Sequence, residues 1–141
     1  MIMKTINCIL LIDDNVHDNF FHTRTIKKAN AAKQVKTATS GEKALEYFEN
    51  SKQDPENFPL PDLILLDINM PGINGFEFLE KAREKKIFNS GKPIVIVMLT
   101  SSLNSNDEKM AREKFSKEIK EFKNKPLTQE TLIEIIEKEF K

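Results

Sequence analysis

The 141-residue chain predicts an α/β fold, a doubly wound, five-stranded parallel sheet with helices on both faces. Apolar strand-like runs alternate with helix-period segments along its whole length. The runs Ile6 to Ile12, Leu63 to Leu66 and Ile94 to Leu99 are almost uninterruptedly apolar, as central strands are when helices cover both sides. Gln34 to Thr39 and Ile119 to Lys123 are shorter and interspersed with polar side chains, which suits edge strands. With the second and fifth strands outermost, right-handed crossovers give the order 2-1-3-4-5.

The elements follow in turn. The first strand ends at Asp13-Asp14, and in the helix after it Val16, Phe20, Thr23 and Ile26 share a face expected to pack on the sheet. Ser40-Gly41 opens the second helix, with Ala44, Leu45 and Phe48 inward. Asn50 to Pro61 is polar, carries three prolines and reads as an extended surface connection. The third strand ends at Asp67, ahead of Met70-Pro71-Gly72, and Phe76, Leu79 and Ala82 mark the inner face of the third helix. Thr100 closes the fourth strand, and Asn106-Asp107 is expected to start the fourth helix near Met110. After Lys125-Pro126, Thr128 caps a fifth helix that buries Leu132, Ile133, Ile136 and Phe140.

A chain of this length with 39% hydrophobic residues suits one domain with a real core, taken as residues 1–141 with its centre at about 6–140. Its 22 basic and 22 acidic residues cancel, which argues against direct binding to nucleic acid. The apolar runs are too short to span a bilayer, and no cleavage site follows the first, so a cytoplasmic protein without membrane insertion is expected. Cys8, the only cysteine, lies in an apolar run and reads as a buried, reduced thiol.

The strand order carries a chemical consequence. The chain turns in opposite directions after strands one and three, so their carboxyl ends flank the crevice where such sheets bind ligands. Asp13, Asp14 and Asp67 should meet there. Two carboxylates about 4 Å apart repel by roughly 4 kcal/mol at an effective dielectric near 20, so three need a raised pKa or a bound cation. All-oxygen ligands select a hard ion, Mg²⁺ first and Mn²⁺ as substitute. With the metal bound, Asp67 can attack phosphorus to give an acyl phosphate, while the Lys125 amine and the Thr100 hydroxyl hold phosphoryl oxygens. Singly, each residue has a plainer reading: a helix cap at Asp13-Asp14-Asn15, a turn acid at Asp67, a helix-entry hydroxyl at Thr100, a solvated lysine at 125. Jointly, four strand ends in the right order make coincidence a poor explanation.

Leu11-Ile12-Asp13-Asp14, Leu65-Leu66-Asp67-Ile68-Asn69-Met70-Pro71-Gly72, Leu99-Thr100-Ser101 and Phe122-Lys123-Asn124-Lys125-Pro126 together resemble the receiver domain of two-component response regulators, from about Ile6 to Phe140. The resemblance implies a flavodoxin-like (βα)5 three-layer sandwich in which Asp67 accepts phosphate from the phosphohistidine of a histidine kinase or a histidine phosphotransfer protein. It implies a metal held by Asp14, Asp67 and the main-chain carbonyl of Asn69, with Asp13 contributing through water. Thr100 and Lys125 match the family's signalling hydroxyl and lysine, Phe122 its switch aromatic, and Asn69 and Ser102 the positions that tune phosphoryl lifetime. Phosphorylation is then expected to draw Thr100 and Phe122 inward and alter the face formed by the fourth helix, fifth strand and fifth helix. Phe122 has no hydroxyl, so its swing rests on packing, and Phe115 to Ile119 lacks the glycine often found before the fifth strand. No output domain is expected beyond Lys141, and the layout resembles a stand-alone receiver that signals to a protein target.

Three readings compete with a terminal switch. The same chemistry serves an intermediate phosphate shuttle. A Mg²⁺-dependent phosphoaspartate hydrolase needs a second acid two residues after its nucleophile, where this chain has Asn69, so no enzymatic turnover is expected. A flavin carrier of this strand order needs a phosphate-cradling loop after strand one, where Asp13-Asp14 would repel the phosphate. His17 and His22 read as solvated helix residues, and the adjacent Phe20-Phe21 fits either one partly exposed ring that marks a partner patch or a wide apolar face.

Overall fold

A computed structural model describes residues 5–89, 91–101 and 104–140. Strands and helices alternate as β1 (Ile6–Ile12), α1 (Val16–Lys28), β2 (Ala32–Ala38), α2 (Gly41–Gln53), β3 (Leu63–Leu66), α3 (Gly75–Glu84), β4 (Val95–Thr100), α4 (Ser105–Lys114), β5 (Ile119–Asn124) and α5 (Gln129–Glu139). All neighbouring strands pair in parallel in the order β2-β1-β3-β4-β5, as the distribution of apolar runs predicts.

Side-chain alternation along the strands divides the core in two. Leu10, Ile12, Ile64, Leu66, Ile96 and Met98 face one way, against Phe48 of α2, Phe78 and Leu79 of α3 and Ala111 of α4. Ile9, Leu11, Leu63, Leu65, Val97 and Leu99 face the other way, against Ile26 of α1 and Leu132, Ile135 and Ile136 of α5. β1, β3 and β4 are therefore covered on both sides, and Cys8 is fully buried among them. Among the described residues no helix is long and apolar enough to cross a membrane.

Helix α1 corrects the sequence reading. Val16 and Phe20 are 61% and 65% exposed, Phe21 is also exposed, and the buried face is Asn19, His22, Thr25 and Ile26. The reason is the accounting of buried polar groups. The Asn19 side chain donates to the Asp13 carbonyl (2.8 Å), and the ring of His22, fully inside rather than solvated, accepts the Leu127 N–H (3.2 Å). Periodicity in hydrophobicity alone rotates the helix the wrong way.

Other boundaries move for identifiable reasons. α2 continues to Gln53, and the connection after it is packed rather than extended over the surface: the Tyr47 hydroxyl donates to the Pro59 carbonyl (2.6 Å) and Phe58 meets the Tyr47 ring edge-on. α4 starts at Ser105, because the Asn104 side chain accepts the Asp107 N–H, and it buries Ala111 while Met110 is exposed. α5 buries Ile135 where Ile133 was expected. In place of a glycine connection before β5, Phe115 stacks on Phe76, and Arg83 of α3 forms a two-pronged pair with Glu118, both N–H···O distances 2.8 Å.

Candidate functional site

The site forms where β1, β3, β4 and β5 end together. Asp13 and Asp67 are fixed by their own backbones: the Asp13 N–H donates to Ala38 (3.0 Å), and the Asp67 N–H to Ile12 (2.9 Å). Past the tip of β3 the chain reverses through Gly72, whose φ of +78° lies in the left-handed region that favours glycine. It then returns close beneath Asp67. The Gly75 N–H donates to Ile68 (2.8 Å), and a Cβ at Gly75 would lie only 2.5 Å from the Asp67 carbonyl oxygen. Glycine at 75 is thus what lets α3 start directly under the site.

The three acids converge as the sequence predicts: Asp13, Asp14 and Asp67 each offer a carboxylate oxygen, all within 4.8 Å of one another. Asp13 and Asp67 are buried and Asp14 is exposed. Burial, and then the neighbouring Asp13 carboxylate, push the Asp67 carboxyl up to about 6, against the opposing pull of Lys125; Asp14 adds to the rise. A cation among these oxygens would relieve that repulsion. The donor set, carboxylates alone, suits a hard divalent ion, so the residues present fit a metal.

Lys125, at the end of β5 and joined to Pro126 by a cis peptide, reaches across the sheet to these acids. Its main-chain N–H donates to the Thr100 carbonyl (2.8 Å), tying the ends of β4 and β5 together. Its ammonium lies 2.6 Å from Asp13, 2.8 Å from Asp18 and 3.8 Å from Asp67. Burial lowers the Lys125 pKa, but the hydrogen bonds to Asp13 and Asp18 outweigh it and hold the group above its ordinary value. The other Asp13 oxygen accepts the Asn15 N–H (2.9 Å), so each oxygen already has one partner and keeps room for another.

Thr100 is fully buried at the end of β4. Asn69 is exposed on the loop after β3, and Ser102 lies outside the described residues. Phe122 is half-buried against the α2–α3 side of the core, lining a groove of about 420 Å³ with Ala111, Arg112 and Ile119. Sequence reasoning missed Asp18 and His22. Asp18 lies in the first turn of α1, capped by Asn15, so its position beside the acids follows once that cap is recognised. His22, expected to be solvated, follows Phe20 and Phe21 in the chain, and its burial comes from the rotation of α1 that turns it toward Leu127.

Comparison with known proteins agrees with this architecture. A family model described as the response regulator receiver domain matches residues 9–137. Over 87 residues the chain is 41% identical to the nitrate/nitrite response regulator protein NarL of Escherichia coli (strain K12), an alignment covering 62% of this chain and 36% of that one. The chain thus spans little more than a third of that relative. Among solved structures, a two-component response regulator from Cytophaga hutchinsonii superposes with a TM-score of 0.82 at 29% identity, covering 96% of this chain and 97% of that one. The receiver domain of the histidine kinase CKI1 from Arabidopsis thaliana, complexed with Mg²⁺ and BeF3⁻, superposes with a TM-score of 0.73 at 27% identity, covering 94% and 91%. Fold, acid cluster and family match coincide over nearly the whole sequence, and the chain belongs to the response regulator receiver domains of two-component signalling.

Proposed function

We propose that the chain is a phosphorylation-controlled switch in which Asp67 accepts a phosphoryl group from the phosphohistidine of a sensor histidine kinase or a histidine phosphotransfer protein. The observation that carries this reading is the Asp67 carboxylate at the tip of β3, clustered with two further acids and 3.8 Å from the Lys125 ammonium. In the transfer, an Asp67 oxygen bonds to phosphorus as the donor's P–N bond breaks. The electron pair of that bond returns to the imidazole nitrogen, which takes up a proton, and an acyl phosphate remains on Asp67.

Lys125 and Thr100 then have charge to hold: the ammonium donates to one phosphoryl oxygen and the hydroxyl to another. Asp13, Asp14, Asp67 and the main-chain carbonyl of Asn69 would hold Mg²⁺, or Mn²⁺ in its place, and the Mg²⁺ in the CKI1 receiver supports that assignment. When bound, such an ion offsets repulsion between the Asp67 carboxylate and the incoming anionic group. The drawing-in of Thr100 and Phe122 reshapes the α4–β5–α5 face, whose groove beside Phe122 receives a protein target. Beyond assisting its own phosphorylation and dephosphorylation, the chain turns over no substrate, and it works in the cytoplasm.

The test is intact mass after acetyl phosphate and Mg²⁺, followed by hydroxylamine. One hydroxylamine-labile phosphoryl group is expected on the wild type and none on Asp67→Asn. Undiminished labelling of that variant refutes the acceptor.

A further inference from the structure

Lys125 is held by more acid than its assigned task requires. Asp13 and Asp18 take its ammonium at 2.6 and 2.8 Å from two sides, while Asp67 stands off at 3.8 Å, beyond hydrogen-bond distance. The two holders differ in kind. Asp13 belongs to the carboxylate cluster and is buried; Asp18 sits on α1, outside that cluster, with a side chain about a third exposed (36%). A cation among Asp13, Asp14 and Asp67 competes with Lys125 for the Asp13 carboxylate. It leaves Asp18 as the acid that engages Lys125 alone.

We infer that Asp18 is a positioning residue that holds Lys125 in the resting state, so that a phosphoryl group on Asp67 must take the ammonium away from it. The inference rests on the reading of Asp67 as acceptor. An ammonium has three donor positions, but hydrogen bonds are directional, and a group drawn toward α1 is not free to close on Asp67. The strength of the Asp18–Lys125 pair therefore subtracts from the hold on the phosphoryl group. Weakening it favours the phosphorylated arrangement, a population effect as large as the differential interaction. With the Lys125 side chain 12% exposed and that of Asp18 36%, the pair is partly in solvent and predicts about a three- to fivefold change.

The experiment measures binding of beryllofluoride with Mg²⁺ to wild type, Asp18→Asn, Asp18→Glu and Glu42→Gln, with Asp18→Asn repeated in a Lys125→Met background. Glu42 approaches the loop at Gly72 and removes equal charge without touching Lys125. Asp18→Asn is expected to bind about three- to fivefold more tightly, Asp18→Glu and Glu42→Gln like wild type, and the Asp18→Asn gain to vanish without Lys125. In metal-free protein, the Lys125 side-chain ammonium resonance should exchange faster with water in Asp18→Asn, a readout independent of phosphoryl chemistry. Unchanged or weaker binding by Asp18→Asn overturns the inference, as does a gain that persists in Lys125→Met or is matched by Glu42→Gln. Wild type that binds no beryllofluoride overturns the acceptor assignment itself; wild type that binds while Asp18→Asn matches it overturns only the role of Asp18.

Discussion

Holding Asp67 near 6 gives the folded protein a pH signature. An acid lifted above its unfolded value of 3.8 keeps its proton better when folded, so stability falls as pH rises from about 3.8 to about 6 and stays reduced above. The span corresponds to roughly 3 kcal/mol. In metal-free buffer Asp67→Asn is therefore expected to exceed wild type by up to about 3 kcal/mol at pH 7.5, with the gap closing by pH 4, as read by urea denaturation. Equal stability at pH 7.5 would contradict it. His22 acts in the opposite direction. Burial lowers its pKa from 6.5, and it must stay neutral to accept the Leu127 N–H. Its contribution is complete above about 6.5 and is lost as pH falls below. His22→Gln, whose carbonyl can accept the same N–H, should lack that acid loss. At this scale the acids, Thr100 and Lys125 were legible because each follows the end of a strand-like run; the roles of Asp18 and His22 were not, because they depend on how α1 is rotated against the β5–α5 turn.

Among elements, α1 shows where periodicity misleads. Apolar spacing placed Val16 and Phe20 inside, yet two polar side chains with buried backbone partners decide the rotation, and the rings are left outside with Arg24 over Phe20. Phe20→Ser is accordingly expected to change stability by less than about 0.5 kcal/mol, whereas Ile26→Ala should cost about 2–4 kcal/mol. Denaturation midpoints of the two variants test the assignment, and a large loss in Phe20→Ser would restore the other face. The α4–β5 connection is a second case. Without a glycine, the chain fixes its approach to β5 through the Arg83–Glu118 fork, with the Arg83 guanidinium over the Phe115 ring at 4.9 Å. Glu118→Gln should cost about 1 kcal/mol, discounted because Arg83 is half-exposed. That cost should vanish at low pH, since the Arg83 hydrogen bond holds Glu118 below its usual value and the pair is lost as pH falls through it. Sequence could not show this pair, whose members are 35 positions apart on different elements.

For the whole molecule, strand order does the organising. Order 2-1-3-4-5 was legible because central strands read as unbroken apolar runs and edge strands do not, and that order alone brings residues 13, 67, 100 and 125 to one rim. The glycines finish the arrangement: Gly75 admits α3 beneath Asp67, so Gly75→Ala should displace the tip of β3 and weaken metal binding more than it weakens the sheet. What strand order could not reveal is how α1 and the β5–α5 turn share Lys125, since that depends on helix rotation. The most direct test of the convergence is calorimetric titration with Mg²⁺ near pH 6 in wild type, Asp14→Asn and Asp67→Asn. One ion per chain at millimolar levels is expected in wild type, with protons released as the Asp67 carboxyl ionises, and uptake should be lost in both variants. Absence of uptake by wild type, or full uptake after loss of Asp67, would contradict three acids gathered around one cation.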